Sequence, residues 1–110
     1  MKKPKSHEVF TLVVQVGRKA GDDLPSKATG AGLVCYASGV DEAEAVRETV
    51  AVLKTAGLAP LDVTGYGTLD DRLAEGADIS ADERALMGRA LDENAVIVAQ
   101  LTPFYDDGGP

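Results

Sequence analysis

The sequence predicts an α+β domain, a two-layer sandwich in which a four-stranded, mainly antiparallel sheet carries two helices on one face. Three observations predict it. Glu8 to Val16 alternates apolar residues on two sides, as a strand does; Asp41 to Leu58 is a helix marked at both ends; and Ser80 followed by Glu83 opens a second helix before a closing apolar run. The resulting order is β-β-α-β-α-β.

The first strand, Glu8 to Val16, is rich in β-branched residues, with Phe10, Leu12, Val14 and Val16 on one side and Val9, Thr11 and Val13 on the other. Gly32 to Ser38 repeats the pattern: Leu33, Cys35 and Ala37 face one way, Val34 and Tyr36 the other. Asp41 is placed to cap the first helix, with Glu44 three residues on in a variant of the capping box. Val46, Val50, Leu53 and Gly57 follow along one face. Gly57 then ends the helix at a position requiring positive φ, and Leu58 folds back on Leu53.

In the third strand Leu61, Val63 and Leu69 share one side, and Asp62, Thr64, Tyr66 and Thr68 the other. Gly65 and Gly67 within it mark a bulge or a close backbone approach. The second helix is expected from about Ala81 to Asp92, with Leu86, Met87, Ala90 and Leu91 on one stripe. Ala95 to Thr102 is the last strand. Its Val96-Ile97-Val98-Ala99 run is too continuously apolar for a wet edge, and Pro103 closes it. Residues 1–110 form one domain, with loose tails expected at 1–7 and 103–110. Consecutive β-α-β units cross over with one hand, which predicts both helices on the same face. This architecture resembles the ferredoxin-like group in organisation, although the first helix of that group is replaced here by the connection from Gly17 to Gly30.

A chain of 110 residues suffices for one hydrophobic core. One cysteine, Cys35, excludes an intrachain disulfide, and a single histidine, His7, leaves no His/Cys set for zinc or an iron–sulfur cluster. No metal and no cofactor is expected. The positive start at Lys2, Lys3 and Lys5 is followed by an apolar run too short for a secretory signal, and no segment approaches the ~20 apolar residues of a membrane span. A cytoplasmic protein is expected. Net charge is −7, but residues 1–30 carry six basic and three acidic side chains while the rest carry five and fifteen. Such an acidic body repels phosphate backbones, so nucleic acid is not an expected partner.

No acid, base, nucleophile and metal set names a reaction, so no catalytic residue is assigned. Two helices on one face would leave Val9, Val13, Val34 and Tyr36 bare on the other, and apolar side chains of that size are worth roughly 1.5–3 kcal/mol each when buried. A second copy packed face to face would cover them, predicting a homodimer. The alternative cover is the Gly17–Gly30 loop. That loop is also the one cationic, glycine-rich stretch, so Arg18, Lys19 and Lys27 are candidates for holding a small anion, with Tyr66, flanked by glycines, a further ligand contact. The opposing expectation is a charged connector that blunts a sheet edge. Cys35 in a strand reads as a small buried hydrophobe rather than a nucleophile. Asp70, Asp71, Glu75, Asp78, Asp82 and Glu83 read as a solvated face, or as a patch for a basic protein partner. The leading expectation is a noncatalytic homodimeric binding or regulatory module; a small enzyme or anion binder using the Gly17–Gly30 loop with Tyr66 or Cys35, and an acidic module for a basic protein, are the alternatives.

Overall fold

The computed structural model describes residues 7–105. They form β1 (Glu8–Gly17), β2 (Ala28–Gly39), α1 (Glu42–Thr55), β3 (Ala59–Thr68), α2 (Leu69–Ala74), α3 (Ala81–Glu93) and β4 (Val96–Tyr105). The α+β class and the four-stranded sheet of the sequence reading are both present, with one short helix, α2, added. The sheet order is β3-β1-β2-β4 and every neighbouring pair is antiparallel.

The helices pack on opposite sides of this sheet, not on one. Leu53 of α1 lies in a buried cluster with Val14, Val16, Leu33 and Cys35, and Ala45 in another with Phe10, Leu12 and Ala37. Met87 and Ala90 of α3 are buried instead against Val9 and Tyr36, which strand alternation puts on the other face. The crossover rule fails here for a topological reason. β2 and β3 both run antiparallel to β1 and so are parallel to each other, which makes β2-α1-β3 a true crossover. β4 is antiparallel to β2, hence antiparallel to β3, so the link through α2 and α3 joins opposite sheet edges and is free to use the other face.

The helix signals act locally and hold. Asp41 accepts from the Glu44 backbone N–H at 2.8 Å, and the Glu44 carboxylate reaches back to the Val40 N–H at 3.0 Å, one residue beyond the usual box. At the other end Gly57 has φ +86°, its N–H bonds the Lys54 carbonyl at 3.0 Å and the Leu58 N–H bonds the Leu53 carbonyl at 2.9 Å, which is a Schellman stop. The buried stripe of α1 is Ala45, Thr49 and Leu53, rotated slightly from the expected one, with Val46 and Val50 half-buried beside it.

β4 is an edge strand, contrary to the expectation from its apolar run, and it continues through Pro103 to Tyr105 rather than stopping there. Proline is tolerated at an edge, where a missing donor need not break a ladder. Of the expected loose tails, residues 1–6 and 106–110 lie outside the described residues. The expected connection from Gly17 to Gly30 is shorter, because β2 already begins at Ala28.

Candidate functional site

The α3 face of the sheet is covered at one end only. Beyond the cover lies a groove of roughly 530 Å³ lined from β1 by Thr11 and Val13, from β2 by Val34 and Tyr36, and from β4 by Ala99 and Gln100. Leu86, Asp82 and Glu83 of α3 form one wall, Arg72 of α2 closes an end and Tyr66 of β3 stands at the rim.

Local structure sets each polar group. Pairing of β1 with β3 passes from Phe10–Thr68 to Leu12–Gly65, so Tyr66 and Gly67 together oppose Thr11 in a bulge, one of the two features the glycines were expected to mark. Gly67 adopts φ +89°, where a side chain would be strained and a Cβ would meet the Asp71 carboxylate at 2.8 Å. Directly after the bulge, Thr68 caps α2: its hydroxyl accepts from the Asp71 N–H and the Asp71 carboxylate accepts from the Thr68 N–H, both at 3.0 Å. This single turn and a half of helix lifts Arg72 over the sheet, where its Nη1 donates to Thr11 Oγ1 at 3.1 Å. On α3 the Ser80–Glu83 capping box holds Glu83, whose second oxygen accepts from the Tyr36 hydroxyl at 3.2 Å.

The resulting cluster places one base, Arg72, against two acids, Asp82 and Glu83, at the end of an apolar floor. The Ser80 backbone N–H foremost, then the Tyr36 and Ser80 hydroxyls and the Arg72 charge, hold the Glu83 carboxyl below its ordinary range. Burial first, and then the Glu83 charge, push the Tyr36 phenol up. Tyr36 is therefore a neutral donor rather than a proton acceptor at neutral pH. Such a site can pair donors and acceptors with a bound molecule; it presents no activated nucleophile.

The sequence candidates are dispersed. Tyr66 lines the groove, half-exposed, whereas Arg18 and Lys19 line a shallow depression elsewhere with Ala20, Ser26 and Ala28. Arg18 does not offer its charge to an anion. Its Nε and Nη2 donate to the two oxygens of the buried Asp22 at 3.0 and 3.2 Å, and its Nη1 donates to the Pro25 and Ala28 carbonyls. Asp22 also accepts from the Lys19 and Leu24 N–H groups, so the pair staples the β1–β2 connection together. Lys19 and Lys27 are exposed. Of the four residues expected at a dimer face, Val9 and Tyr36 are buried by the chain's own α3, while Val13 and Val34 are half-buried in the groove. Cys35 is fully buried against α1, on the opposite face from the groove, and burial pushes its thiol up to about 11. Among the described residues no group of His, Cys, Asp and Glu side chains could hold a metal ion. Among the described residues no helix is long and apolar enough to cross a membrane.

Sequence reasoning missed Arg72, and it read Asp82 and Glu83 as helix-start residues on a solvated face or a patch for a basic protein, not as the wall of a groove. The signal was present: Thr68 with Asp71 is a capping box, and Arg72 is the lone base between Lys54 and Arg84.

A family model described as a domain of unknown function, DUF8846, matches residues 9–105, and the chain belongs to that family. No curated protein and no solved structure matches it.

Proposed function

We propose that this DUF8846 chain is a noncatalytic, cytoplasmic, homodimeric binding module whose groove takes a small molecule with an apolar body and a head that both donates and accepts hydrogen bonds. The observation that carries this reading is the groove itself, an apolar floor of Val13, Val34 and Ala99 ending in Arg72, Glu83 and Asp82. Ligand sites combine mostly apolar walls with a few placed polar groups, and this volume lies within their usual range of about 300–1,000 Å³. Arg72 offers donors, and the two acids offer acceptors. With acids in excess of bases the site disfavours phosphate-rich ligands and suits a neutral or zwitterionic head. The shielded, unactivated Cys35 supports binding over catalysis, and one unpaired thiol suits a reducing compartment.

The test is a thermal-shift and NMR screen of small amides, amino acids and aromatic zwitterions against the unmodified chain, Arg72→Ala and Leu86→Ala. A ligand at a hundred times its Kd should stabilise the fold by about 2.7 kcal/mol, raising Tm accordingly. Both variants should lose most of that shift. Shifts that survive both substitutions would assign the binding elsewhere and refute the groove.

A further inference from the structure

The two edges of the sheet are built differently. The β3 edge carries Pro60 and a charge, Asp62, within the strand, and Gly65 and Gly67 flank a bulge against β1. These are the devices by which sheets avoid joining edge to edge. β4 shares two of these devices, Pro103 and a bulge at Ala99 that sets Val98 and Leu101 on one face, but it lacks the third, charge. It runs ten residues, Val96 to Tyr105, without a single charged side chain in a chain that is 26% charged. It nevertheless lies at the outer edge of the sheet, with Val98 and Leu101 each 42% exposed on the α1 face, and with Phe104 40% and Tyr105 54% exposed near its end.

We propose that β4 is the surface through which two copies of this chain associate, strand to strand about a twofold axis, joining the two sheets into one of eight strands. The inference rests on the homodimer of the preceding reading and replaces its surface, since Val9 and Tyr36 are already buried within the chain. A twofold antiparallel pairing sets each strand against its own copy, so any charge near the axis would face its like. The uncharged Val96–Thr102 stretch meets that requirement in whatever register the pair adopts. Edge pairing satisfies the outward N–H and C=O groups of β4 and brings Val98 and Leu101 beside the same residues of the second copy. Pro103 removes a donor and limits the pairing at one end. Gln100 and Ala99 lie on the groove face of the same strand, so the twofold would set two grooves side by side on one continuous sheet.

The experiment is sedimentation velocity from low to high micromolar concentration on the unmodified chain, a Val98→Lys/Leu101→Lys double variant, and Leu61→Lys at the opposite edge, combined with amide hydrogen exchange. The unmodified chain should be a dimer, Leu61→Lys should remain one, and the double variant should sediment as a monomer at every concentration. Exchange at Val96 to Thr102 should slow at least tenfold between dilute and concentrated unmodified protein while β3 amides stay constant. A monomer throughout would overturn both this surface and the homodimer. A dimer that survives the double substitution, or β4 exchange independent of concentration in a dimeric sample, would overturn the β4 surface and leave the homodimer standing. The exchange measurement decides whether or not the double variant folds.

Discussion

Asp22 shows how one residue converts a charged loop into a rigid one. Its carboxylate accepts from the Lys19 and Leu24 N–H groups and from Arg18, and those bonds, the backbone ones foremost, hold its pKa below the ordinary aspartate value. Because the folded value lies below the unfolded one, the unfolded chain takes up the proton more readily. The stabilisation is complete above the unfolded value near about 4 and is lost as pH falls through the folded value. Glu83 acts in the same sense. Acid titrations of stability should therefore show the Asp22→Asn variant less stable than the parent at neutral pH and less sensitive to further acidification; parallel curves for the two would refute the staple. Cys35 gives a second prediction at this scale. With the thiol buried and its pKa raised to about 11, iodoacetamide should leave the folded chain unmodified and label it at the rate of global opening once denaturant is added. Prompt labelling under native conditions would contradict the burial.

At the scale of elements, two short signals hold the helices. Ser80→Ala removes the acceptor for the Glu83 N–H, should cost about 0.5–2 kcal/mol as N-cap losses do, and frees Glu83 from one of its tethers beside Tyr36. Urea unfolding gives the cost, and a midpoint equal to the parent's would show the cap to be idle. Gly57→Ala puts a Cβ at φ +86°, facing the Gly21 carbonyl at 3.2 Å, and should destabilise by about 1–2 kcal/mol through backbone strain. These elements were legible because each depends on residues within five positions of one another. α2 was equally local, yet Thr68 also fits the alternation of β3, and one residue serving as both strand end and helix cap hides the boundary between them.

The whole molecule is a sheet with an apolar layer on each side. The cluster around Leu53 and Cys35 shares no residue with that around Met87, Ala90 and Tyr36. Leu53→Ala and Met87→Ala should each cost about 2–5 kcal/mol, and their effects should add to within about 0.5 kcal/mol, because no side chain bridges the layers. A double-mutant cycle by denaturant unfolding measures this, and a coupling well above that value would mean the sheet transmits packing changes from one face to the other.

The sequence by itself determined the existence and order of the four strands, though not all their ends, both long helices with their caps and the Gly57 stop, because each follows from backbone preference and hydrogen bonding within a few residues; Gly65 and Gly67 marked a bulge or a close approach, and the structure decided for the bulge. The sequence also determined that β1 and β2 bury both faces. Only the tertiary structure decided which elements supply the cover. Strand order makes β3 and β4 antiparallel and so leaves α3 free to pack on the face opposite α1, an arrangement set by non-local pairing that alternation cannot encode. The same arrangement made the uncharged β4 an edge, whereas Arg18 was taken up by a local contact with Asp22, four residues on. It also brought Arg72, Tyr36 and Glu83, far apart along the chain, to one end of a single groove.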